Sequence, residues 1–212
     1  MKTLFFIFVS GLFCAAFASG GQNAMTGKDE SYLTAEERAK AVKLLKDSEK
    51  EFLDMVSKLT DEQWAYKPAL NRWSVGEVAQ HIMLTEGLLF GAMERALASP
   101  VNPDWKAKTG GKNEFLERVL VSRERRAQAP EPIRPLQKIS RADVMSRFKE
   151  ARAKTLKFIE ETKLPMKAHT VDHPFPVFST LNAYQWMIYI PLHNLRHNQQ
   201  IAEVKASQGF PK

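Results

Sequence analysis

Residues 186–201 place two histidines inside an apolar pattern, and this combination restricts the possible folds more than any other feature of the chain. Steps of three or four residues form a stripe that would face the core of a helical protein: Trp186, Ile190, His193, His197, Ile201 and Val204. Two histidines at positions i and i+4 direct their rings at one point, which is the spacing by which a helix offers two nitrogen ligands to a metal. The alternative, which spacing alone leaves open, is a pair of hydrogen-bonded or half-exposed histidines.

The first 18 residues have the pattern of a secretory signal peptide. Lys2 precedes an almost unbroken apolar run over residues 4–17, and small residues surround Ala18. The run is about 14 residues long, shorter than the roughly 20 that a membrane-spanning helix needs. We therefore expect cleavage near Ala18, export to the periplasm or the medium, and no stable insertion in the membrane. Cys14, the one cysteine, lies in this segment, so the mature chain is expected to have neither a disulfide nor a catalytic thiol.

About 190 residues remain, which is enough for one domain with a sizeable core. We expect residues 19–33 to be a flexible N-terminal segment and residues 34–208 to form a single domain. The formal net charge is +7, but acidic and basic residues alternate along most of the chain, which is typical of solvated helix faces. The densest basic cluster lacks aromatic residues that could stack on bases, so nucleic-acid binding is not expected. This cluster comprises Arg118, Arg123, Arg125 and Arg126.

Four long helices are predicted from capping motifs followed by apolar residues at helical spacing. They are expected at about residues 35–59, 75–98, 141–162 and 180–209. A shorter helix is predicted over about residues 113–126, in the connection between the second and third long helices. Because no stretch shows the sustained alternation of a strand, the predicted fold is all-α. We expect an antiparallel four-helix bundle with this short extra helix in the crossover.

Prolines indicate two irregular features. Pro191 lies inside the last predicted helix, which predicts a kink or one lost backbone bond just before His193. Pro130, Pro132 and Pro135 predict an extended linker before the third long helix.

A third imidazole would turn the histidine pair of the last helix into a metal site with an open position. His81 is the candidate, because it alone of the other three histidines lies on a long helix, and inward residues of a bundle converge on its core. Three nitrogens and a water describe a catalytic type of zinc site. The alternative is that each histidine is a core residue bonded to a carbonyl or a polar neighbour. His169 and His173 fall in a predicted loop and are expected at the surface, although a position lining a pocket stays open.

Several segments together resemble the DinB family of damage-inducible-like helical proteins. They are residues 73–82 (WSVGEVAQHI), 172–174 (DHP) and 193–201 (HNLRHNQQI), with a similar turn at 61–64 (DEQW). The resemblance covers nearly the whole mature chain. It implies a four-helix bundle with an unusual crossover, commonly dimeric, that binds a divalent metal, zinc or nickel. By residue match, the three histidine ligands are His81, His193 and His197.

The resemblance and the residues together predict an exported metal-dependent hydrolase or group transferase whose small-molecule substrate the sequence does not identify. A carboxylate near the metal would act as general base or orient a ligand, and Glu77 and Glu86 are the candidates. Glu77 also has a competing role in the capping box of the second long helix. The alternative is a non-catalytic module in which the metal only ties two helices together or the pocket binds a small ligand. A homodimer is expected from the resemblance.

Overall fold

The computed structural model describes residues 29–124, 128–135 and 139–212. The predicted signal peptide and most of the predicted flexible segment lie outside these described residues. The helices are α1 (Ala35–Val56), α2 (Asp61–Ala65), α3 (Val75–Ala98), α4 (Trp105–Thr109), α5 (Lys112–Val121), α6 (Arg141–Glu161) and α7 (Ala183–Lys205). Two strands, β1 (Thr170–Asp172) and β2 (Thr180–Asn182), and 3-10 turns at Glu131–Ile133 and Pro176–Phe178 complete the elements. None of the described helices has the length and apolar character that a membrane crossing requires.

The four long helices α1, α3, α6 and α7 form a four-helix bundle. Both α1 and α3 pack against α6 and α7, so α1 lies diagonally opposite α3. Side-chain contacts show the directions of the helices. At the start of α7 the Tyr184 hydroxyl donates to the Glu37 carbonyl oxygen, near the start of α1. At the end of α7 the Lys205 ammonium donates to the Met55 carbonyl oxygen, near the end of α1, so α1 and α7 run in parallel. Arg141, at the start of α6, binds carbonyl groups just after the end of α1, so these two helices are antiparallel.

The connection from the end of α3 to the start of α6 has to run back along the length of the bundle, because these two helices point in the same direction. Glu86 in the middle of α3 pairs with Arg152 in the middle of α6, and Phe90 further along α3 packs on Phe158 further along α6, so the two helices run in the same direction. The short helix α5 lies in this connection, as the sequence predicted, and it packs against α7. It ends at Val121, earlier than expected.

Capping boxes set the starts of α1 and α3. The Thr34 side chain accepts from the backbone of Glu37, and the Ser74 side chain accepts from the backbone of Glu77, with both glutamates bonding back. Each cap satisfies backbone N–H groups that have no partner within the helix. The start of α6 after Ser140 is also found as predicted, with the Ser140 side chain accepting from the backbone of Asp143.

The sequence prediction was wrong just before α7. Thr180, predicted as the start of the last helix, lies in β2, which pairs antiparallel with β1. The helix begins only after Asn182, whose side chain accepts from the backbone of Gln185 in a further capping box. Apolar periodicity did not reveal this start, because Leu181 continues the apolar pattern while serving as a buried strand residue.

Of the two proline-dependent features, only the linker differs from the expectation. Residues Glu131–Ile133 form a 3-10 turn where an extended linker was predicted. The prolines at 130 and 132 still fix the backbone, since a proline is compatible with the first positions of a helical turn. In α7 the helix continues through Pro191, which has no N–H to donate to the preceding turn.

The interior consists of two apolar clusters separated by a buried polar layer. One cluster surrounds Met187 and the other surrounds Phe148. Between them, Arg152 donates from Nε and Nη2 to the two carboxylate oxygens of Glu86, both at 2.8 Å. Arg152 and Glu86 are 0% and 2% exposed. Arg152 also donates to Ser48 Oγ of α1 at 2.9 Å and to Asn194 Oδ1 of α7 at 3.0 Å, so one guanidinium connects all four long helices.

Candidate metal centre

The structure brings together the three histidines that the sequence indicated. His81 projects from α3, and His193 and His197 project from α7, the helix packed against it. One ring nitrogen of each histidine lies within 4.8 Å of the others. The ring centres are 4.4 Å apart for His193 and His197, and 5.1 and 4.5 Å from His81 to the two of them. Among the described residues, this is the group of three metal-ligating side chains that can share one ion.

Hydrogen bonds at Nδ1 decide which nitrogen two of these rings present to the centre. His81 Nδ1 lies 2.7 Å from the Ile133 carbonyl oxygen, which only accepts, so this nitrogen carries the proton. His197 Nδ1 lies 2.8 Å from the Gln200 side-chain oxygen, and the same reasoning applies. Both rings are therefore neutral tautomers that present the Nε2 lone pair, as metal-binding histidines do.

The distance between the two histidine nitrogens of α7 can be compared with the spacing that a shared metal ion requires. Their Nε2 atoms are 3.1 Å apart. His197 presents a lone pair here, so either His193 donates a proton to it or a cation lies between the two nitrogens. Two nitrogens on a tetrahedral zinc ion, with bonds of about 2.0–2.1 Å, are separated by about 3.3 Å. The spacing of this pair and the three imidazole donors therefore fit a divalent metal ion.

Burial keeps the three rings in the protonation state that binds a metal. Removal from water lowers the pKa of His81, and it lowers the pKa of His193 and of His197 well below the ordinary value. Charge on the neighbouring rings adds to the effect at His193 and His197. His81 and His197 are buried, whereas His193 is half-buried. The centre is thus neutral before a metal binds.

Aromatic rings pack against the outer faces of the ligands. The Trp73 ring lies 5.0 Å from the His81 ring. Tyr189, one turn before His193 on α7, stacks on its ring at 6.3 Å and 25°. These contacts restrict the rotation of the two imidazoles, since packed side chains keep to single rotamers.

Both carboxylates proposed from the sequence have other partners. Glu77 bonds the backbone of Ser74 at 2.8 Å and pairs with Lys67 at 2.7 Å. Glu86 is held on both oxygens by Arg152 in the polar layer. None of the hydrogen bonds described for either carboxylate reaches a histidine of the centre. The expected role as general base therefore finds no support in their contacts.

The two remaining histidines do not join the centre. His169 places Nδ1 2.7 Å from the Ser99 carbonyl oxygen. His173, expected at the surface, is only 9% exposed and stacks on Trp186 at 4.8 Å and on Tyr189 at 5.5 Å. The cause is the β1–β2 hairpin, which the sequence did not indicate and which folds this residue against α7.

We expect His173 to make the folded protein less stable in acid. Burial lowers its pKa to about 4, against about 6.5 in an unfolded chain. Between these values the unfolded chain takes up a proton that the folded chain does not, so the free energy of unfolding falls as the pH falls. His173→Phe keeps a stacking ring without that proton and should reduce the slope by up to about 1.4 kcal/mol per pH unit. Urea unfolding at several pH values, with a chelator present, measures this; an unchanged slope would contradict it.

The residues that orient the ligands were not predicted. Gln200 follows His197 by three residues on the same helix, so its position next to the ligand was visible in the sequence. Ile133 contributes only its backbone carbonyl, and a backbone group has no signature in the sequence. Its position depends on the 3-10 turn at Glu131–Ile133.

An unusual helical bundle with three converging histidines on two neighbouring helices defines the class of this protein. A profile of the DinB superfamily matches residues 44–201, and the chain belongs to this superfamily. The resemblance stated from the sequence is thus confirmed. None of the curated proteins compared with the chain matches it.

A solved structure supports the fold independently. YfiT from Bacillus subtilis is described as a probable metal-dependent hydrolase with an unusual four-helix bundle topology. It is similar to this chain with a TM-score of 0.56 and 13% sequence identity, over 84% of this chain and 91% of YfiT. At this identity the similarity shows the fold, a four-helix bundle with short extra helices.

Proposed function

We propose that this chain is an exported metal-dependent hydrolase or group transferase that acts on a small molecule. One divalent ion, zinc or nickel, would be held by His81, His193 and His197. The observation that carries the proposal is the number of ligands: among the described residues, three side chains converge and no fourth joins them. Three protein ligands are typical of catalytic zinc sites, which keep a position for water or substrate, whereas structural sites use four.

The protein residues prepare this centre in two ways. His81 and His197 are fixed as Nδ1–H tautomers by Ile133 and Gln200, so their lone pairs point at the ion without rearrangement. Neutral imidazoles suit zinc and nickel as donors and leave the charge of the ion uncompensated. When bound, the ion supplies a Lewis acid and lowers the pKa of a coordinated water toward neutrality.

Catalysis also requires access from solvent. His193 is the half-buried member of the three, so a small molecule would approach the centre on its side. The Tyr189 ring, which stacks on His193, would offer an apolar surface to that molecule. The description of YfiT as a probable metal-dependent hydrolase supports the same class of chemistry, although 13% identity carries the fold alone.

Export and a homodimer are further parts of the proposal. Export is supported by the apolar run over residues 4–17 and the small residues around position 18. A homodimer is supported by the resemblance to a family that is commonly dimeric. Mass spectrometry of the N-terminus of exported protein and sedimentation of the same sample test the two statements.

The activity is expected to disappear on chelation and to return when zinc or nickel is added. Exported protein, purified after processing, should be assayed with a panel of ester, amide and thiol-transfer substrates. The rate should rise with pH up to about neutrality, because a coordinated water ionises near pH 7 in three-histidine zinc sites. Activity that survives both chelation and His197→Ala would exclude this mechanism. A metal-loaded crystal structure with four protein ligands would instead favour the non-catalytic module.

A further inference from the structure

We infer that Arg123 is a positioning residue of the metal centre, which holds the Gln200 amide so that its oxygen faces His197. The inference rests on the proposed metal binding, and it assigns a role to a residue outside the helices that carry the ligands.

The contacts form a chain from the surface to the ligand. Gln200 Oε1 accepts from His197 Nδ1 at 2.8 Å and from Arg123 Nη1 at 3.4 Å. Arg123 in turn binds both carboxylate oxygens of Glu203, with Nε at 3.0 Å and Nη2 at 2.9 Å. Arg72 Nη2 lies 3.5 Å from the same carboxylate. The side chain of Arg123 is 17% exposed and that of Glu203 is 41% exposed, so the guanidinium is the more shielded of the two.

A glutamine amide alone does not determine the tautomer of a neighbouring histidine. If its oxygen faces Nδ1, the ring carries the proton there and Nε2 presents a lone pair. If its NH₂ group faces Nδ1, the proton moves to Nε2, which then cannot bind a metal. The two orientations of an amide have nearly the same shape, so another group must select between them.

Arg123 makes that selection because a guanidinium only donates hydrogen bonds. A donor facing Gln200 favours the amide oxygen, and the same oxygen then accepts from His197. The bidentate pair with Glu203 fixes the plane of the guanidinium, since a carboxylate matches the two parallel N–H groups of arginine. Gln200 and Glu203 lie one turn apart on α7, so a single arginine reaches both.

The crossover of the fold therefore contributes to both oriented ligands. Arg123 lies just after α5, and Ile133 lies further along the same connection between α3 and α6. Ile133 fixes His81 through its carbonyl, and Arg123 fixes His197 through Gln200. The connection that returns along the bundle is thus part of the metal centre, although it provides none of its three histidines.

The test measures cobalt binding and the tautomer of His197. Arg123→Met should weaken Co²⁺ binding by about tenfold, the lower end of the effect of removing a group that orients a ligand. In metal-free protein at a pH above neutral, ¹⁵N NMR should show His197 as the Nδ1–H form in the wild type and as a mixture of tautomers in Arg123→Met. Arg118→Met is the matched control, because Arg118 contacts only the Phe115 ring among the interactions described for it.

Repeating the substitution in a Gln200→Glu variant distinguishes an effect on the orientation of the Gln200 amide from a general structural effect of losing Arg123. In Gln200→Glu, a carboxylate replaces the amide and can only accept, so no selection by Arg123 is needed. Adding Arg123→Met there should leave the His197 tautomer and the cobalt affinity nearly unchanged. An equal loss in both backgrounds, or a folded Arg123→Met with wild-type affinity and tautomer, would overturn the inference. If the wild type binds no Co²⁺, the proposed function fails, while the NMR comparison in metal-free protein still decides the role of Arg123.

Discussion

Alanine in place of His197 should leave the purified protein almost free of metal, where the wild type holds about one divalent ion per chain. His81→Ala and His193→Ala should have the same effect. One nitrogen from each ring lies within 4.8 Å of the others, so each variant leaves only two ligands. Removing a group that merely orients a ligand costs about 10–100-fold in affinity, and removing the ligand itself should cost more than about 100-fold. Elemental analysis and titration with Zn²⁺ measure the loss.

His169→Ala is the matched control for this prediction. His169 also bonds a backbone carbonyl through Nδ1, at 2.7 Å from Ser99, but it lies outside the cluster. Its replacement should therefore leave the metal content unchanged. Full occupancy in His81→Ala would show that the third ligand is assigned to the wrong residue.

The starts of the helices were predictable because they depend on residues close together in the sequence. Ser74 and Glu77 are three residues apart, and their reciprocal bonds define the start of α3 wherever the helix packs. The start of α7 was predicted three residues too early. A capping box at Asn182 and Gln185 was present, but the short strand before it depends on pairing with β1, which is not a local property.

The members of the histidine cluster were predictable from the sequence, but the groups that orient their rings were not. His193 and His197 share a face of one helix, so their spacing was sufficient to pair them. Joining His81 to them relied on the convergence of inward residues in a helical bundle, and the family resemblance then supported the assignment. Arg123 and Gln200 are in contact although they are 77 residues apart in the sequence, and no sequence pattern predicts such a contact.

The partner of Glu86 was not predictable, for a related reason. From the sequence, an acidic residue near the middle of α3, just over one turn after His81, is a reasonable partner for a metal ligand. The structure instead places a buried cation, Arg152 of α6, against it, and a buried charge is compensated by its nearest opposite charge. Sequence patterns do not reveal that Arg152 faces inward, because an arginine in an amphipathic helix is usually solvated.

Arg152→Met should lower the free energy of unfolding by about 3–5 kcal/mol, because it leaves the Glu86 carboxylate buried without a counter-charge. The change also removes donors to Ser48 and Asn194, so all four long helices lose a connection. Total stabilities of such domains are about 5–15 kcal/mol, so the variant should be close to the limit of folding. Urea unfolding in the presence of a chelator measures the change without a contribution from bound metal.

The double variant Arg152→Met with Glu86→Leu separates the unpaired charge from the loss of packing. Replacing both members of a buried pair by apolar residues of similar volume is often neutral or stabilising, so the double variant should recover most of the lost stability. The surface pair Lys43–Asp47 is the control, with side chains 75% and 56% exposed. Lys43→Met should change the stability by less than about 1 kcal/mol. If Arg152→Met is no more destabilising than this control, Glu86 does not carry a buried charge. If the double variant is as unstable as the single one, the polar layer stabilises the bundle through its hydrogen bonds to Ser48 and Asn194 rather than through charge compensation.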